Sequence, residues 1–254
     1  MDSPSTSDTT ELISGSRRKS STKAKSGKKQ SDKKQSKGGW CSCFSLACIA
    51  QYFDVNTSDV RGRILNVLSP CPRDKFLSVT QANPDFYGPF WIATTLIFVI
   101  GVTANINEYA SSEDKTWHYD ISKPSLAFSI VYAYVPLFGL CLWFVLKYLG
   151  VKIESEQTGD LQDPSLSAMV CLAGYVMITF IPFLIMCSVP GSSFVLSMLS
   201  LGALYACGIL YRELSPLLRE DGAPSSSISK KPLLTLILAV LVGAFSVTCW
   251  LAFY

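Results

Sequence analysis

Nine cysteines and a single histidine limit the chemistry open to this chain. Cys41, Cys43 and Cys48 form a Cys-x-Cys-x4-Cys cluster. Thiols so spaced can ligate zinc, carry palmitoyl chains if their segment lies on a membrane, or remain free and buried. A zinc site would need a companion His/Cys cluster, and none accompanies them. His118 stands alone, which argues against a centre that needs a histidine pair. Asp54, Asp59 and Asp85 read first as turn and cap residues and second as contacts for a partner. There is no Gly-x-Ser-x-Gly elbow, no glycine-rich loop to cradle a phosphate and no His-Glu-x-x-His helix. The expectation is a protein that performs no catalysis and holds no cofactor or metal.

The elements that would position these residues are mostly hydrocarbon. Hydrophobic residues make up 49% of the chain and charged ones 16%, against about 25% charged in soluble domains. Five apolar segments lie at about 90–106, 126–149, 166–188, 192–211 and 233–253. Each approaches the length, about 20 residues, that crosses a hydrocarbon core of about 30 Å as a helix. The fold class expected is an all-α integral membrane protein, a five-helix transmembrane bundle with a disordered basic N-terminal tail. Pro136 and Pro182 interrupt the second and third segments and predict kinks. Val189-Pro190-Gly191 is a tight turn that makes the third and fourth a helical hairpin. Ser197, Ser200, Gly202, Ala203, Ala206 and Gly208 give the fourth a small-residue surface suited to close helix approach. The segment interiors hold no Asp, Glu, Lys, Arg or His, which counts against an ion-coupled transporter.

Ahead of the spans the composition changes. Residues 1–39 are rich in Ser, Thr, Lys, Gly and Gln and cannot bury enough apolar surface to offset ordering entropy. Within residues 17–37 ten basic residues stand against one acid, Asp32. Such a tail is drawn to an anionic leaflet, or serves as a solvated or import-like basic patch. No aromatics interleave the lysines, so nucleic-acid binding is not expected. Asp8-Thr9-Thr10-Glu11-Leu12-Ile13 has the form of an acidic dileucine sorting signal. Residues 40–89 form a second, partly amphipathic, membrane-proximal region. Residues 40–53 are apolar but too short to span, and suit a helix lying in the interface. A short helical pattern follows around 60–68. No apolar run opens the chain, so the first span is expected to act as the targeting signal.

The basic residues also orient the chain. Counting tail and loops, 20 of the 22 Lys and Arg fall on the side that carries the N-terminus and 2, Lys115 and Lys123, on the other. The positive-inside rule then puts the N-terminus in the cytosol and the C-terminus in the lumen. Asn83-Pro84-Asp85-Phe86-Tyr87-Gly88-Pro89-Phe90-Trp91-Ile92 marks where the chain passes into the membrane. Its Asn-Pro and Gly-Pro pairs are turn signals, and Phe86, Tyr87, Phe90 and Trp91 suit the headgroup level.

The same stretch carries a resemblance. Asp85-Phe86-Tyr87-Gly88-Pro89 is similar to the Asp-Leu-Tyr-Gly-Pro signature of the YIPF (Yip-domain) family of five-span Golgi and ER membrane proteins, with Phe86 in place of Leu. Gly174-Tyr175 matches the family's Gly-Tyr pair in the third span. Tyr52-Phe53-Asp54-Val55, Trp117-His118-Tyr119 and Ile130-Val131-Tyr132-Ala133-Tyr134 resemble one subgroup. The resemblance implies residence in Golgi membranes, or in ER or late-Golgi and endosomal vesicles. It also implies association with Rab-type small GTPases and with other Yip-family proteins, and a role in vesicle traffic and Golgi organisation. The other class left open is a small-solute channel or transporter. Two further expectations follow from the residues. Gly88 should need a backbone conformation that a β-branched residue resists. Charge reversal at Asp54, Asp59 and Asp85 should weaken partner capture and leave the fold intact, because all three precede the spans.

Overall fold

The computed structural model describes residues 52–53, 55–69, 76–112, 117–154, 160–219 and 227–254. The basic tail, residues 40–51 with Cys41, Cys43 and Cys48, and Asp54 lie outside the described residues.

Among the described residues, five helices are long and apolar enough to cross a membrane. Two shorter helices precede them. Helix α1 spans Thr57–Leu68 and starts after Asn56, whose extended backbone and position suit an N-cap. Asp59 in its first turn favours the positive end of the helix dipole. Val60 and Val67, one side of α1, are buried. Helix α2 spans Phe76–Ala82 and buries Phe76, Leu77 and Thr80.

The first span, α3, is Tyr87–Ser111. It begins earlier and runs further than the apolar stretch 90–106. Pro89 sits in its first turn, where a missing N–H costs nothing, and its distal turns carry Asn105, Asn107 and Glu108. The second span, α4, is Ser122–Tyr148 and is one continuous helix through Pro136. The kink expected there does not break it. The third span is Leu166–Met186. It consists of α5 (Leu166–Val176), a 3₁₀ turn at Met177–Thr179 and α6 (Phe180–Met186). Pro182 has no N–H for the carbonyl four residues back, and the chain tightens there into the 3₁₀ turn. The fourth span, α7, is Ser192–Leu214, and the last helix, α8, is Ser227–Phe253. Gly191 joins the third and fourth spans at φ 136°, a conformation that other residues avoid. A two-residue antiparallel ladder, β1 (Ile153–Glu154) with β2 (Leu161–Gln162), links the second and third spans and pairs Ile153 with Gln162.

Consecutive spans pack side by side, the first also meets the third, and the second meets the fifth. The third is the most enclosed of the five. Its Ala168, Leu172, Val176 and Phe180 are fully buried, as are Leu96, Leu142, Leu199 and Val242 of its neighbours. Glycine sets two of the close approaches. A Cβ on Gly139 would run into the Val170 backbone, and one on Gly202 would stand 3.2 Å from Phe180 and 3.1 Å from Phe183. Only part of the small-residue surface of α7 is used in this way, since Ser197, Ser200 and Gly208 are exposed.

The face of the bundle that carries α1, α2 and the β ladder is termed proximal, and the opposite face distal. Distally, Asn107 donates to the carbonyls of Cys187 and Val189, both at 3.0 Å, and Lys123 pairs with Glu108 at 2.6 Å. The Ser122 hydroxyl and backbone N–H both donate to Asp120 and hold its carboxyl below the ordinary carboxylate value.

Candidate functional site

The two motifs, 85–89 and 174–175, meet in space although about 90 residues separate them. Asp85 is 0% exposed. A carboxylate so deep is tolerated only if it is paired and hydrogen-bonded. Three groups meet that need. The Arg63 guanidinium pairs with Oδ2. The Tyr175 hydroxyl stands 3.2 Å from each carboxylate oxygen. The Gly88 backbone N–H donates to Oδ1 at 3.1 Å. Asp85 therefore caps the first turn of the first span, as its turn-and-cap reading expected, and satisfies an N–H that the helix itself cannot.

Each motif glycine makes room for a residue of the other motif. A Cβ on Gly88 would collide with the Tyr175 hydroxyl and ring, and one on Gly174 with the Pro89 ring. Gly88 has ordinary helical backbone; positive φ among the described glycines is confined to Gly150 and Gly191. The reason Gly88 is glycine is thus close approach, and the expected conformational requirement is corrected. Phe76 of α2 packs edge-on against the Tyr175 ring at 5.4 Å between centroids.

Asp85 is also corrected as a residue whose charge could be reversed with the fold left intact. Reversal would bury two facing cations. Asp59, by contrast, is exposed on α1 beside exposed Arg61. The motif aromatics divide: Phe86 stacks on Tyr52 at 4.8 Å, while Tyr87, Phe90 and Trp91 expose their rings at the bundle surface.

Sequence reasoning missed Arg63. Its second guanidinium nitrogen donates to the Asn83 carbonyl at 2.7 Å, and it lies beside the buried thiol of Cys171. A signal was present. Arg63 lies three residues after Val60 and four before Val67, on the apolar side of α1, where an arginine needs an acid to meet. Further bonds seat the same region. Arg212 of α7 donates to the Ser69 and Asn66 carbonyls and pairs with Glu213 at 2.9 Å. Tyr205 donates to the Leu68 carbonyl at 2.8 Å, and Gln81 to the Asp163 carbonyl at 2.8 Å.

The arrangement fixes α1 to the membrane bundle through a paired charge, and its polar groups are consumed in doing so. Among the described residues no three His, Cys, Asp or Glu side chains gather as a metal site would require.

Comparisons with known proteins agree with the family resemblance. The Yip1 domain family matches residues 65–253. The chain is 34% identical over 139 residues to "Protein YIPF1 homolog" of Dictyostelium discoideum, covering 54% of this chain and 37% of that protein. It is 34% identical over 136 residues to "Protein YIP5" of Schizosaccharomyces pombe, covering 53% of this chain and 49% of that one. The matched stretch thus spans half or less of the relatives' own length. No solved structure matches. With the family match running from α1 through all five spans, the chain belongs to the Yip1-domain family of multi-pass membrane proteins.

Proposed function

We propose that this protein is a scaffold or adaptor of secretory-pathway membranes, acting in vesicle-mediated transport and Golgi organisation by holding partners. The observation that carries this reading is how the charged groups of the proximal region are used. Arg63 and Asp85 are spent on docking α1, and the interior between the spans is filled by apolar side chains. What α1 then presents outward is a polar surface with Asp59 and Arg61, beside the exposed aromatics of the first span. A lipidated GTPase requires a polar contact for its globular domain and a place near the bilayer for its tail. Single lipid chains hold only marginally, so a second contact changes residence strongly. The family resemblance supports Rab-type GTPases and other Yip-family chains as the partners. The proposed address is the Golgi membrane or ER and endosomal vesicles, with the N-terminus cytosolic.

The paired variant Asp59→Arg with Arg61→Glu tests the partner surface without touching the buried pair. We expect Rab recovery from native membranes to fall roughly 5- to 30-fold, the equivalent of about 1–2 kcal/mol of contact, with melting temperature lowered by no more than a few degrees through the lost helix-dipole contact of Asp59. Recovery of no GTPase by the unmodified protein, together with solute flux through it in liposomes, would replace this reading with the channel one.

The orientation has its own test. Asn56-Thr57-Ser58 is a glycosylation sequon, and Asn56 is exposed at the start of α1. With α1 on the cytosolic side it stays bare. A glycan on Asn56 in cells would invert the topology.

A further inference from the structure

The first span begins deep. Pro89 abuts Gly174, and Asp85 and Gly88 meet Tyr175, the tenth residue of the 21-residue third span. Eight residues of helix separate Leu166 from Gly174, which at 1.5 Å per residue recesses the start of the first span by about 12 Å. The second span agrees. Thr94 bonds Tyr132 at 2.9 Å and Gly101 faces Pro124, which sets Trp91 level with about residue 135. The second span continues well past that level, to Tyr148.

Two surfaces at nearly one level then differ in chemistry. On the second span Leu137 near that level, and Phe144 about 13 Å beyond it toward the proximal face, are 59% and 64% exposed and apolar. They call for hydrocarbon up to the last turn, near Lys147. If the bilayer ended at the level of Pro89 all round, only about 14 residues of this span would lie within it. That is about 20 Å, short of the roughly 30 Å core. On the flank of the first span the same level carries Tyr87, Phe90 and Trp91, the last 51% exposed. Phe53 meets Phe90 there at 6.4 Å, and the exposed Asn56, Asp59 and Arg61 follow within a few residues. Aromatic side chains of this kind favour the headgroup level, and charges facing hydrocarbon are costly.

We propose that this flank, built by the first span, α1 and residues 52–53, seats lipid headgroups drawn down into the proximal leaflet, so that the bilayer is locally thinned beside it. The ligand class is a phospholipid surface, and membranes with short acyl chains fit it best because they need the least deformation. Tyr87, Phe90 and Trp91 line the recess, and α1 fills the space the first span leaves.

Tryptophan depth tests this. One variant keeps only Trp91, with phenylalanine at the other four tryptophan positions. The other carries Leu137→Trp with Trp91→Phe in that background. Both are reconstituted in phosphatidylcholine bilayers and quenched with lipids brominated near the headgroup or near the chain end, and with aqueous iodide. Leu137 lies slightly nearer the proximal face than Trp91, so a flat bilayer makes Trp91 the deeper of the two. The proposal expects the reverse: Trp91 quenched best by shallow bromines and by iodide, and the Leu137→Trp side chain by deep bromines alone. Equal depths, or Trp91 deeper, overturn it. Trp91 reached by neither quencher also overturns it, since another protein copy would then cover the flank. Should the substituted chains misfold, a nanodisc map of the unmodified protein reads the same quantity. A proximal leaflet that dips at the first span supports the proposal, and a level one refutes it.

Discussion

Replacing Arg63 by alanine is expected to remove most of the folded protein. Asp85 would remain fully buried with its charge uncompensated. Breaking a buried pair from one side costs about 3–5 kcal/mol, a large share of the stability of a typical domain. Removing both charges is expected to cost far less. Arg63→Met with Asp85→Asn leaves a long apolar stem and a side chain that still accepts from Gly88 and bonds Tyr175. Neutral replacement of a buried pair is often close to harmless. The expected order is therefore single variant well below double variant, and double variant near the parent. Cys171, Cys187 and Cys249 are buried thiols and report unfolding to a thiol-reactive dye during a melt in detergent. An Arg63→Ala protein that melts within a degree or two of the parent would show that the pair does not hold α1 to the bundle.

The second large effect is at the interlocked glycines. Gly88→Val is expected to abolish assembly, and even Gly88→Ala and Gly174→Ala should cost roughly 1–3 kcal/mol each or more, by overpacking. The obstacle is the third span's Tyr175 for one and the Pro89 ring for the other. Gly62→Ala is the matched comparison. Gly62 is a helical glycine with open space around its missing Cβ, so alanine there should be neutral or stabilising by about 0.5–1 kcal/mol. The measurement is the level of folded protein and its resistance to protease. Parent-like behaviour of Gly88→Val would remove the case for an interlock, whereas equal damage from Gly62→Ala would point to a general intolerance of α1 and the first span to added bulk.

Much of the architecture is legible in the residues taken alone. Five apolar runs, two turn motifs and the tight Val189-Pro190-Gly191 connection specify five membrane helices in order. A span is a local property: its length and hydropathy are set by consecutive residues, and no distant contact is needed to satisfy its backbone. Local sequence was less informative at helix ends and at prolines. The first span extends into Asn105, Asn107 and Glu108 because those side chains find partners or water at the distal face. Pro136 leaves the second span unbroken, while Pro182 sits just after a 3₁₀ turn. The same residue type gave two outcomes, decided by the packing around each.

What the sequence by itself determined is the class of protein, the number of spans and the family resemblance. What only the tertiary structure decided is the meaning of the two motifs, 85–89 and 174–175. Asp85 read alone is a cap or a contact; with Arg63 and Tyr175 around it, it is the buried half of a latch. Gly88 and Gly174 are unremarkable until Tyr175 and Pro89 occupy the space beside them. The depth at which the first span starts is likewise invisible in a hydropathy trace, which counts residues along the chain and carries no information on the level at which two helices meet. Pairing across 22 and 90 residues is a property of the packed bundle, because burial, charge compensation and close approach exist only once distant segments exclude water from one another.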